Sequence, residues 1–98
     1  MKYYTWDNKK NEKLITELNI SFEEIVFYIE KGCLLDILKH PNKKKYEGQY
    51  IFVIRVEDYV YLVPFVENER EIFLKTIIPS RKATRKYLKG GGNDGQNE

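Results

Sequence analysis

The apolar positions of this chain follow a helical period up to Gly32 and a period of two beyond it. Tyr3-Tyr4-Thr5-Trp6, a short aromatic and β-branched run, predicts a strand. Asp7 stands where a helix cap belongs. Asn11, Leu14, Ile15 and Leu18 then fall at i, i+3, i+4, i+7, the stripe of a first helix that Asn19 interrupts. Ser21-Phe22-Glu23-Glu24 has the S-x-x-E spacing of a capping box, and Ile20 and Ile25 occupy the two positions of a hydrophobic staple. Phe22, Ile25, Val26 and Ile29 make the stripe of a second helix, which Gly32 stops in a left-handed conformation.

Past Gly32, Leu34–Lys39 predicts a strand closed by the turn-prone His40-Pro41-Asn42, and polar Lys43–Gln49 predicts a loop. Tyr50, Phe52, Ile54 and Val56 share one face of the next strand, with Ile51, Val53 and Arg55 on the other. Glu57-Asp58 links it tightly to a strand over Tyr59–Val66, and Asn68-Glu69-Arg70 links that to one over Glu71–Ile78. Pro64 donates no backbone hydrogen bond, so its stretch is expected to be bulged or partly at an edge. Pro79 stops the sheet, Ser80 caps a last short helix over Arg81–Lys89, and Gly90 ends it. The expected fold is α+β: a short N-terminal strand, two helices, a three- to four-stranded antiparallel meander and a short C-terminal helix. Residues 1–89 are expected to make one domain, and residues 90–98 a flexible Gly-rich tail that can bury nothing.

Composition narrows the function classes. Of 98 residues, 42% are hydrophobic, too many for an intrinsically disordered chain. A chain this size buries roughly 60–70% of its unfolded surface, which makes one modest core and excludes a large multi-domain cofactor enzyme. No apolar run approaches the ~18–20 residues that span a bilayer, and the opening residues lack the apolar centre of a signal peptide. The single cysteine, Cys33, permits no internal disulfide and no cysteine zinc cluster. A soluble protein of a reducing cytoplasm is expected. The net charge of +2 hides a pattern: Lys39–Glu47 carries four cations and one acid, and Ser80–Lys89 carries five cations and no acid. Such blocks suggest a polyanionic partner.

The chain has no Gly-x-Gly-x-x-Gly between a strand and a helix, no Gly-x-x-x-x-Gly-Lys and no His-Glu-x-x-His, so neither a cofactor nor a metal is expected. Ser21 and Ser80 read as caps rather than nucleophiles. The block from Ile77 to Tyr87 is the most informative: a strand running into a basic helix offers N–H groups, a dipole and cations to one spot, which suits a phosphate. On that helix Arg81 and Arg85 form one basic row, and Lys82 and Lys86 a second. The bland alternative is a solvated helix whose cations meet acids elsewhere. His40 is the sole imidazole and suits proton transfer near neutrality, although a lone loop histidine is more often plain surface. Glu47 is a weaker candidate base, and Lys75 points either into a cleft or to water. Eight Tyr and five Phe could stack on RNA bases, but most occupy strand positions where aromatics pack for structural reasons. Tyr61 and Tyr87 are the least easily explained as core.

The residues also resemble a family. Tyr4-Thr5-Trp6-Asp7 with Lys9-Lys10-Asn11-Lys13, then Asn19-Ile20-Ser21-Phe22-Glu23-Glu24-Ile25-Val26-Phe27, looks like the start of BrnT-type toxins. Lys75-Thr76-Ile77-Ile78-Pro79-Ser80-Arg81-Lys82-Ala83-Thr84-Arg85-Lys86-Tyr87 is similar to that family's ending, a strand followed by a Ser-Ala-Arg-(Arg/Lys)-Ala-Thr-like motif; Pro79 departs from it. Leu34–Glu69 agrees only in its strand pattern. The resemblance implies a RelE-superfamily fold and an RNA-cleaving toxin of a type II toxin–antitoxin pair, acting on free or ribosome-bound mRNA to inhibit translation. The implied partner is a small antitoxin, often with a ribbon-helix-helix half. Such cleavage needs no metal: the ribose 2′-OH attacks the adjacent phosphate, helped by a base, an acid and cations. The chain can supply Arg81 and Arg85 as phosphate clamps, Lys75 as a further cation and His40 as proton shuttle, with Lys82, Lys86, Tyr61 and Tyr87 binding RNA. Only Arg81, Lys82 and Arg85 rest on matched motif positions. The competing expectation is a non-enzymatic module whose basic helix docks an acidic protein segment.

Overall fold

The computed structural model describes residues 2–39 and 48–88. β1 (Tyr3–Thr5) leads into α1 (Asn8–Leu18) and α2 (Phe22–Glu30). There follow β2 (Leu34–Lys39), β3 (Gln49–Val56), β4 (Tyr59–Glu67), β5 (Glu71–Leu74) and β6 (Ile78–Pro79), and then α3 (Arg81–Leu88). The fold is α+β. β2 to β5 form an antiparallel meander, β6 pairs with β4, and β1 adds a parallel edge to β5, giving the order β1-β5-β4-β3-β2.

Local signals explain the helix pair. The capping box is closed: the Glu24 N–H donates to Ser21 Oγ at 3.1 Å and the Ser21 N–H to Glu24 Oε1 at 2.8 Å. Gly32, at φ 95°, ends α2 in a Schellman arrangement, its N–H on the Ile29 carbonyl and the Cys33 N–H on that of Tyr28. Asp7 holds the cap position of α1 in extended backbone, but its carboxylate makes no capping bond; only its carbonyl serves, accepting from the Asn11 N–H.

Asn11 is the polar member of the α1 stripe, and it is buried. Its Oδ1 accepts from the Phe22 N–H and its Nδ2 donates to Glu23, both at 2.8 Å, which fastens α1 to the first turn of α2. Asn11→Leu keeps the bulk but leaves the buried Phe22 N–H without an acceptor. It is expected to cost about 1–3 kcal/mol in urea unfolding.

The Asn11 bond is also the main reason that the Glu23 carboxyl lies below its ordinary value of 4.5, with its own backbone N–H and Ser21 helping and burial opposing. The folded state therefore binds this proton less tightly than the unfolded chain. That stability is present above the ordinary value and is lost as pH falls through the lower folded one. Glu23→Gln is expected to flatten the acid limb of a plot of thermal midpoint against pH below about 4.5.

Alternation splits the sheet between two layers. Phe52, Ile54, Val63, Phe65 and Leu74 join Leu14, Ile20, Phe22 and Ile25 in the main core under α1 and α2. Val53 and Val60 face the other way, against Ala83, Tyr87 and Leu88 of α3. The Tyr50-to-Val56 strand thus has the two faces that its pattern predicts. Pro64 lies in neither a bulged nor an edge stretch of its own: it is buried in β4, between β3 and β5. The irregularity lies across from it. Instead of one strand over Glu71–Ile78, the chain pairs Phe65 with Leu74 but Leu62 with Ile78, a one-residue shift between β5 and β6. The Pro64 carbonyl accepts from the Lys75 N–H, so the imino side that donates nothing faces this break.

α3 is tied down by its own small polar residues. Ser80 Oγ accepts from the Ala83 N–H at 3.0 Å. Buried Thr84 accepts from the Val60 N–H and donates to the Ser80 carbonyl, both at 2.8 Å. Thr84→Val removes the hydroxyl at nearly constant shape and leaves the Val60 N–H unpaired, so a loss of about 1–3 kcal/mol is expected by thermal unfolding. Among the described residues no helix is long and apolar enough to cross a membrane.

Candidate functional site

Register brings the basic helix to the β3–β4 turn. Pro79 lies opposite Tyr61, so two further residues set Arg81 level with Tyr59. There Arg81 and Arg85 line a hollow of about 220 Å³ with Asp58, Tyr59 and Thr84. A neighbouring hollow of about 440 Å³ is lined by Arg55, Asp58, Tyr87 and Leu88. Asp58 borders both. The turn carries Glu57 at φ 56°, a left-handed conformation that costs a non-glycine residue roughly 1–2 kcal/mol. The Arg55 side chain steadies it, its Nε donating to the Glu57 carbonyl at 2.9 Å.

Part of the charge on α3 works against the helix that carries it: Arg85 and Lys86 in the last turn suit the dipole, but the first-turn cations do not. Arg81, Lys82, Arg85 and Lys86 are all exposed, and Arg81 and Lys82 stand in the first turn, where the dipole disfavours cations and no acid compensates. Each i, i+4 like-charge pair costs a further few tenths of a kcal/mol, about 0.2–0.5. Among the described residues the one ion pair is Lys2 with Glu67, far from this helix in sequence, and none of the four cations makes any. A bound anion would remove these costs together.

The remaining sequence candidates do not all gather here. Tyr87 lies beside the site: its hydroxyl donates to Asp36 Oδ2 at 2.9 Å, and Lys86 Nζ sits 5.4 Å above its ring. Burial first, then that bond and the Asp36 charge, push its phenol up, so it stays protonated near neutrality. Tyr61 packs with the α1–α2 core on the opposite face of the sheet. Lys75, exposed, pairs by its backbone with Pro64, three residues of β4 from Tyr61 and hence roughly 10 Å along the sheet from Pro79. His40, Glu47 and Lys89 fall outside the described residues.

Asp58 and Tyr59 are the site members that sequence reading misses. Their signal is indirect: a two-residue link puts Asp58 at a hairpin tip, but only the β4–β6 register brings that tip to α3. Among the described residues no three His, Cys, Asp or Glu side chains gather as a metal site. No family model, no curated protein and no solved structure matches the chain.

Proposed function

We propose that this chain is a metal-independent endoribonuclease toxin of the BrnT type, inhibiting translation and neutralised by a cognate antitoxin. The observation that carries it is a row of exposed guanidinium groups, Arg81 and Arg85, that make no ion pair among the described residues and stand beside a hollow that also holds a carboxylate. The α+β order of elements and the motifs at both ends of the chain support the same reading.

In this reading Arg81 and Arg85 clamp the scissile phosphodiester, and Lys82, Lys86 and Tyr87 hold the flanking RNA. Asp58 is the carboxylate at hand to accept the 2′ proton as the 2′ oxygen attacks phosphorus. The bond to the 5′ oxygen breaks, that oxygen takes a proton from water, and a 2′,3′-cyclic phosphate remains. Lys75 contributes field rather than contact with this phosphate.

A second reading is favoured by one specific observation: among the described residues that line the hollow, Asp58 is the only carboxylate and none is a histidine. In that case α3 docks an acidic protein segment and no bond is cut. Induced expression separates the two. The nuclease reading expects growth arrest with RNA fragments ending in cyclic phosphate, both lost in Asp58→Asn. Arrest with intact RNA would overturn it in favour of the binding module.

A further inference from the structure

On the other face of the sheet, under the same β3–β4 turn, lies a concavity of about 400 Å³ between the end of α1, α2 and the hairpin. Three tyrosines line it, Tyr28, Tyr59 and Tyr61, together with three carboxylates, Glu24, Glu57 and Asp58. Tyr59 and Tyr61 stand 5.6 Å apart between ring centroids at 65°, two walls of a corner rather than a flat stack. Ring faces and carboxylates both attract a cation, and they attract it most where water is partly excluded.

Within this concavity nothing among the described residues neutralises these acids, although Asp58 also borders the hollow of Arg81 and Arg85. No Lys or Arg lines the concavity, and none of its three carboxylates makes an ion pair. Arg55 bonds the Glu57 carbonyl oxygen rather than its carboxylate. Glu24 spends Oε1 on the capping box and keeps its second oxygen. The carboxylates also make themselves felt on the walls. After burial and Tyr59, Glu24 and Glu57 push the Tyr61 phenol up, so that ring stays uncharged under a negative field.

We propose that this corner is a binding site for a single organic cation, a guanidinium or alkylammonium group, stacked on Tyr59 and Tyr61 and held by Glu57 and Asp58. The planar guanidinium fits best, because it both stacks on a ring and donates in-plane to carboxylates. The group belongs either to a small molecule or to an arginine on a protein segment. The proposal does not rest on the ribonuclease reading, whose cations lie on the opposite face, although the two hollows meet at Asp58 and Tyr59.

The test is a nitrogen-15 NMR titration of the whole chain with N-acetyl-arginine amide, with N-acetyl-citrulline amide as the uncharged isostere. Saturable shifts at Tyr28, Glu57, Tyr59 and Tyr61 are expected with the arginine compound, and affinity at least about tenfold weaker with citrulline, since charge-assisted bonds are lost. Glu57→Gln with Asp58→Asn, at two exposed turn positions, is expected to weaken arginine binding by a similar factor of about ten without unfolding the chain. An acetylated hexapeptide with one central arginine identifies the source: tighter binding than the amide assigns the site to a protein segment, and equal binding assigns it to a small cation. Equal affinity for citrulline, absence of saturable shifts at those residues, or an unaffected double variant would overturn the proposal.

Discussion

Alanine at both Arg81 and Arg85 is expected to slow RNA cleavage by about 10²–10³-fold or more, the size of effect seen when a donor to transition-state charge is removed. The fold should not suffer. Both side chains are exposed and make no ion pair among the described residues, and their removal relieves a like-charge pair and a first-turn cation while losing a favourable last-turn one, so stability should stay within about 0.5 kcal/mol. Binding should change in a second, independent way. If each arginine neutralises one phosphate of a single strand, the slope of log affinity against log salt falls by about 1.4 in the double variant. Arg→Lys at both positions keeps the salt slope but loses the planar fork, so cleavage should fall between the two. Unchanged cleavage and an unchanged slope in the alanine variant would show that the cluster does not touch RNA.

Phe22→Ala should be the most destabilising single change outside the site. Phe22 is fully buried at the start of α2, its ring stacked on Trp6 with centroids 5.6 Å apart, and it sits among Leu14, Ile25 and the inner sheet face. Truncation of a buried phenylalanine costs about 3–5 kcal/mol, a large share of the 5–15 kcal/mol typical of a whole domain. Denaturant unfolding followed by tryptophan fluorescence reads it directly, since Trp6 loses its stacking partner. Phe22 lies on the face away from α3. Cleavage per folded molecule should therefore stay near wild type while the folded fraction drops.

The local elements are legible in the sequence because each is fixed by neighbours in the chain. The Ser21–Glu24 box, the Gly32 stop and the Ser80 cap act over three or four residues, and period-two alternation sorts Phe52 and Ile54 from Val53 without knowledge of the fold. Asp7 shows the limit of that logic, because a capping residue type does not oblige the side chain to cap. What cannot be read locally is pairing at a distance. β1 joins β5 across more than sixty residues, and the shift between β5 and β6 answers a proline ten to fourteen positions earlier. The site suffers most from this. Arg81 and Arg85 are visible as a basic row, but Asp58 and Tyr59 become their neighbours only through the register of β6 on β4, and that same register leaves Tyr61 on the far face and Lys75 some way along the sheet.

Whether α3 receives a phosphodiester can be measured without any cleavage. A short single-stranded oligoribonucleotide blocked by 2′-O-methyl groups cannot be cut, and it can be titrated into nitrogen-15-labelled protein in the presence of a chelator. The account predicts saturable, salt-sensitive shifts centred on Arg81, Lys82, Arg85 and the Asp58–Tyr59 turn, and their disappearance in Arg81→Ala with Arg85→Ala. Shifts that leave α3 untouched, or that survive that double substitution, would contradict it.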